Sequence, residues 1–186
     1  MYLKIVLFKI ICIFNLGQLF VEAEPKLILV VRIKGICKIP HKAKKTMQLL
    51  GLNRIHTARF LAANKATISM LKAAEPYLTW GYPNLKCVRD LLYKRGHASI
   101  NGQRIAISSN ALIKRHLAQH DVFCIEDLIQ EIFSVGEKFR YCNRFLSIFR
   151  LNTPKKGIVS KKRHFINGGD FGNREKFISD LVRKMM

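Results

Sequence analysis

His116 and His120 stand one helical turn apart and Cys124 follows, so this stretch offers the donor types that a zinc ion takes. It lacks the glutamate of a His-Glu-x-x-His site. Two polar residues on a solvated helix face explain the spacing without an ion, so no metal is expected. Glu126, Asp127 and Glu131 could pair as catalytic carboxylates, yet they sit in a predicted helix whose N-terminal dipole attracts acids. The chain holds no Gly-x-Ser-x-Gly elbow and no glycine-rich loop ending in Gly-Lys-Ser/Thr. "NGGDFGNRE" (167–175) comes nearest to a phosphate-cradling loop that runs into a helix, but it has neither the lysine nor the preceding strand. Its Gly168-Gly169 turn can instead let backbone amides and Arg174 come close to phosphates. These residues support no catalysis, no cofactor and no small-molecule substrate.

Charge supports more. Lys and Arg number 33 against 12 Asp and Glu, and residues 1–25 add nothing to the net +21 because Lys4 and Lys9 cancel Glu22 and Glu24. The surplus is grouped. Lys42, Lys44 and Lys45 crowd the first turns of a predicted helix, where its dipole disfavours cations, and Arg54 follows the helix end. Lys94 and Arg95 close another helix, and Lys155, Lys156, Lys161, Lys162, Arg163 and Arg174 fill a long late segment. A compact chain so charged repels itself, and a polyanion relieves that repulsion by counterion release. Nucleic acid is the first candidate, and these residues are its expected RNA contacts. Anionic membrane, or the role of a secreted cationic protein, are the other classes.

The five cysteines, at 12, 37, 87, 124 and 142, form no Cys-x-x-Cys and are odd in number, which fits single thiols in a reducing compartment. "MYLKIVLFKIICIFNLGQLFVEAEP" has the shape of a secretory signal, with early lysines, an apolar stretch and a small-residue end. Three readings stand for it: a signal or anchor, a segment packed on a neighbour, or an atypical start set apart from the fold. Its uncharged run from Ile10 to Val21 is short for a bilayer span, and no membrane partner is expected.

The elements that must position the basic groups can be read in turn. "KLILVVRIKG" (26–35) is a buried strand stopped by glycine. Pro40 opens a helix that Gly51 ends. "TARFLAANK" (57–65) is a second strand. Thr67 is read as the cap of a helix with Ile68, Leu71 and Leu78 inward and Pro76 near its end. "TWGY" (79–82) is a brief third strand. Trp80 there is read as a core anchor, with stacking on an unpaired base as the alternative. Asn84 starts a helix with Leu85, Val88, Leu91 and Leu92 inward and Gly96 as its stop. Asn101-Gly102 signals a hairpin. Helices are predicted over 108–120, 126–132 and 175–185, with a helical tendency that weakens after Gly136. The segment after Pro154 is a basic, glycine-rich loop, expected to be loose over 155–163 until a polyanion orders it. The fold class is therefore α+β. A small β-α-β-α-β, ferredoxin-like sandwich over 26–83 follows the apolar segment 1–25, and a largely helical extension with a basic tail spans 84–186.

"NKATISMLKAAEPYLTWGYPNLKCVRDLLYKRG", "CIEDLIQEIFSVGEKF" and "HFINGGDFGNRE" resemble the universal L-thirty family of large-subunit ribosomal proteins, in its eukaryotic L-seven branch. The likeness covers about Lys26 to Met186. It implies a sheet of order 3-1-2 with two helices on one face, a structural place in the large (60S) subunit and a part in its assembly. It further implies contact with large-subunit rRNA near 5S rRNA and with neighbouring ribosomal proteins, in the cytoplasm after a nucleolar stage. It implies no enzymatic activity. Eukaryotic members begin with a long basic helical arm where this chain has "MYLKIVLFKIICIF". A ribosome-biogenesis paralogue is the alternative within the resemblance. Within it, "TWGYPNLK" closes the small sheet and turns the chain into the extension, with Lys94 and Arg95 facing outward.

Overall fold

The computed structural model describes residues 25–186, so the three readings of the N-terminal segment fall outside the described residues. In chain order the elements are β1 (Leu27–Arg32), α1 (His41–Leu49), β2 (Thr57–Ala62), α2 (Lys65–Ala73), β3 (Leu78–Gly81), α3 (Leu85–Arg95), β4 (His97–Ile100) and β5 (Gln103–Ala106). Then come α4 (Asn110–Leu117), α5 (Ile125–Ser134), α6 (Phe139–Phe145), β6 (Phe149–Arg150), β7 (Gly172–Asn173) and α7 (Ile178–Met185).

All of β1 is buried, as a strand covered on both faces must be. It lies at the centre of a sheet of order β6-β2-β1-β3-β7 and pairs antiparallel with β2 and β3, Leu29 facing Phe60 and Gly81. The implied 3-1-2 order is the middle of this sheet. β4 and β5 make a separate hairpin, turned at Asn101 and Gly102 with φ of 49° and 78°.

Alternation along β1 splits the core. Ile28 and Val30 join Met47 of α1, Leu71 of α2, Leu78 and Trp80 on one face. Leu27, Leu29 and Val31 join Phe60, Leu91, Ile132, Phe149 and Val182 on the other. The extension is thus the second outer layer of an α/β/α sandwich. Among the described residues, no helix is long and apolar enough to cross a membrane.

Four details differ from the sequence reading. The N-cap of α2 is Asn64, not Thr67. Thr67 sits one turn in, and its hydroxyl accepts from the Asn64 N–H at 3.0 Å, so both residues share the cap. Leu78 belongs to β3, because Pro76 sits in a 3-10 turn after α2 has ended. Leu85 is exposed and Cys87 takes the inward position. β3 does not close the sheet, since β7 pairs with it in parallel.

Gly81 makes that last pairing possible. A Cβ there would stand 2.2 Å from the Glu175 carbonyl oxygen and 2.9 Å from the Ile178 Cβ. With hydrogen in its place, Tyr82 N–H donates to the Glu175 carbonyl at 2.9 Å and Arg174 N–H to the Trp80 carbonyl at 2.8 Å. The stretch "TWGYP" is therefore a seat for the tail.

Candidate nucleic-acid interface

α1 presents the first basic group. Pro40 is its N-cap, and the N–H groups of Gly51 and Leu52 close its C-terminal end on Gln48 and Met47. Ala43, Thr46 and Met47 turn inward, which leaves Lys42, Lys44 and Lys45 exposed. His41, Lys44, Lys45 and Gln48 line a shallow hollow of about 350 Å³. Lys44 and Gln48 also line an adjoining hollow of about 240 Å³ that reaches Asn53.

Beneath lies Arg32, only 3% exposed. Its guanidinium donates to the carbonyls of Lys34 (2.8 Å), Gly35 (2.8 Å), Leu52 (2.7 Å) and Asn53 (2.9 Å), and so ties together the loops at both ends of α1. Burial lowers its pKa from the ordinary arginine value. Arg54 is exposed just beyond. Nothing in the sequence marked Arg32 for this work, since its partners are backbone carbonyls.

The tail carries the second group. Lys155, Lys156, Lys161, Lys162 and Arg163 are exposed, as are Val159 and Ile166. Arg174 is not exposed with them. It is 8% exposed and pairs with Asp170, donates to the Thr79 hydroxyl at 2.9 Å, and lies over the Phe165 ring at 4.8 Å. The second carboxylate oxygen of Asp170 accepts from the Ser160 N–H at 2.8 Å. Arg174 therefore holds the tail to β3, contrary to the expected contact with phosphates, because Asp170 four residues earlier pairs with it in the protein. Gly168, at φ 74°, ends the 3-10 turn Phe165–Asn167, and a Cβ on Gly169 would lie 2.0 Å from the Arg163 carbonyl oxygen. The two glycines bring the tail's own backbone together.

At the β6 edge the groups converge. Thr57 pairs with Arg150, and Leu151 N–H donates to the His56 carbonyl at 2.9 Å. Lys161 lies close enough to His56 to help burial lower its pKa. Asn152 and Lys155 donate to the Met185 and Lys184 carbonyls, both at 2.9 Å. Arg95 is half-buried and donates to the Met186 carbonyl at 2.9 Å, so it faces outward only in part, while Lys94 is exposed. Arg54, His56, Lys161, Arg150 and Arg95 thus gather around the β6 edge. Arg150 was missed in the sequence because β6 is too short for any period to show.

A family model described as ribosomal protein L30p/L7e matches residues 28–78, from β1 to the start of β3. A Drosophila melanogaster protein called large ribosomal subunit protein uL30 is 54% identical over 171 residues, covering 91% of this chain and 68% of the relative. Its Debaryomyces hansenii namesake is 52% identical over 170 residues, 91% of this chain and 70% of the relative. The chain belongs to the uL30 family.

Proteins of the uL30 family are structural and not enzymes, and the side chains singled out for chemistry have other partners here, except Glu131, whose Oε2 is buried with no hydrogen-bond partner among the described residues. His120 stacks on Tyr141 with ring centroids 3.8 Å apart, and His116 packs beside Phe145 at 6.2 Å. Asp127 accepts from the Phe123 and Cys124 N–H groups, both at 3.1 Å, which keeps its pKa below the ordinary carboxylate value. Glu126 binds Arg89 and Tyr93 on the surface. Trp80 is 6% exposed, edge-on to Tyr82 and under α1 and α2. Burial pushes the Cys87 and Cys142 thiols up to about 11, so both remain protonated thiols.

Proposed function

We propose that this uL30-family chain is a structural constituent of the large ribosomal subunit, which binds large-subunit rRNA through exposed lysines and arginines and helps the subunit assemble. The observation that carries it is the identity to two proteins called large ribosomal subunit protein uL30 over 91% of the chain. The basic edge supplies the means. Lys42, Lys44, Lys45 and Arg54 on one side, and Lys94, Lys155, Lys156, Lys161, Lys162 and Arg163 on the other, are exposed cations that no side-chain carboxylate among the described residues holds in a salt bridge. Such groups bind phosphates and set position rather than read sequence.

In this reading residues 26–83 dock as the common core and 84–186 as the extension that widens the contact. The rRNA surface lies near 5S rRNA, neighbouring ribosomal proteins cover part of the rest, and the protein works in cytoplasmic ribosomes after a nucleolar assembly stage. Sedimentation of a tagged chain tests the reading. It is expected with large subunits at moderate salt, and a chain found only in the free fraction overturns it.

A further inference from the structure

We propose that Arg95, Arg104 and Arg150 form one binding site for closely spaced RNA phosphates. The proposal rests on the rRNA-binding reading above and adds a site to it. The three residues come from different elements, at the end of α3, in β5 and in β6. Their positions are fixed by the fold. Ser147 N–H donates to the His97 carbonyl at 2.8 Å, and Ala98 bridges to Leu146, so the β4–β5 hairpin is fastened to the segment that enters β6. Across the hairpin, Arg104 Nη2 lies 3.2 Å from His97 Nδ1, which in turn lies 3.0 Å from the Arg95 carbonyl oxygen.

No Asp or Glu side chain among the described residues forms a salt bridge with any of the three. Arg104 Nε is buried without a hydrogen-bond partner. The Arg150 and Arg95 charges add to burial in lowering the Arg104 pKa. The fold treats its two buried arginines differently, since Arg32 spends its donors on four carbonyls and Arg174 on Asp170 and Thr79. Arg95 Nη2 donates to the main-chain oxygen of Met186 at 2.9 Å, but no side-chain carboxylate among the described residues offsets the three guanidinium groups, so charge and the Arg104 Nε donor are left for something outside the protein.

A single phosphodiester carries one negative charge and cannot balance three cations. Several phosphates lying close together can, and planar guanidinium forks match phosphate oxygens two at a time. Arg150 also shares the β6 edge with His56 and Lys161, so a strand lying along that edge reaches the cluster.

The test compares the full chain with Arg150→Gln, Arg95→Gln and Arg150→Lys in binding to deproteinised large-subunit rRNA across a salt series, with melting temperatures in parallel. Each Gln variant is expected to bind about tenfold more weakly, with the salt slope shallower by about one. For Arg150→Gln the melting temperature should be equal or higher, because one repelling charge is gone. Arg150→Lys should keep the slope and lose part of the affinity. A parent that binds while Arg150→Gln matches it in affinity and slope overturns this site alone. Affinity lost only together with melting temperature in Arg150→Gln also overturns it. A parent that fails to bind rRNA brings down the rRNA reading, and the site with it.

Discussion

Arg174 and Arg150 stand at opposite edges of one sheet, Arg174 just after β7 and Arg150 within β6, both strands of two residues. Arg174 is folded inward, with Asp170, Thr79 and the Phe165 ring around it, and fastens the tail to β3. Arg150 is exposed, without a carboxylate partner among the described residues, beside two other arginines. The same residue type therefore does opposite work at the two edges. What decides is whether an acid lies within reach along the chain. A net charge of +21 counts both kinds alike, and only their surroundings separate the arginines that build the protein from those left for a partner.

The sharpest way to break the comparison is at the inner edge. Asp170→Ala leaves a buried guanidinium without its counter-charge and frees the Ser160 N–H, so it should cost about 3–5 kcal/mol in urea unfolding. The salt slope of RNA binding should stay near that of the parent. A loss below about 1 kcal/mol in Asp170→Ala would place Arg174 with the surface arginines. Trp80→Ala should cost about 3–5 kcal/mol as well, because the indole is enclosed by α1 and α2. A variant that melts like the parent but loses RNA would move Trp80 to the outer class.

Much of this was legible in the sequence where a signal is local. The β-branched run of β1, the Asn101-Gly102 turn, Pro40 and Gly51 around α1, and Asn84 and Gly96 around α3 all act over a few residues. β6 and β7 were not legible, because two-residue strands have no period and exist only through distant pairing with β2 and β3. The site divides the same way. The exposure of Lys42, Lys44 and Lys45 follows from one helix face. The meeting of Arg104 and Arg150 with Arg95 follows from topology alone. Arg174 was readable in part, since an acid four residues earlier is a spacing that local sequence shows, but the burial that makes the pair binding comes from β3.

At the outer face the effects are smaller and fall on binding. Lys44→Ala should leave the melting temperature unchanged and make the salt slope of rRNA binding shallower by about one, with no change in sequence preference. An altered preference at constant slope would mean base contact and not phosphate contact. In the tail, neutralising Lys161, Lys162 and Arg163 together should lower incorporation into large subunits at constant stability. Amide exchange in the free chain should protect Ser160, whose N–H is held by Asp170, far more than Lys161 and Lys162. Strong protection across all of 155–163 would show the tail ordered before any partner arrives.

The smallest effect lies at His56, where the inner and outer arginines meet. Its N–H donates to the Arg32 carbonyl at 2.8 Å, its carbonyl accepts from Leu151, and its Nδ1 is buried without a partner among the described residues. Burial first and the Lys161 charge second lower its pKa from 6.5. A lowered histidine pKa means the folded protein favours the neutral ring. The stability this contributes is full above the unfolded value near 6.5 and is lost as pH falls through the folded value. Lys161→Gln removes the lesser cause, so the His56 midpoint, followed by NMR, should rise part of the way and not reach 6.5. RNA phosphates beside Lys161 should raise it in the parent, which makes binding take up a proton and tighten slightly as pH falls toward 6. A midpoint that neither Lys161→Gln nor RNA moves would cut His56 off from the basic edge and leave burial as its only influence.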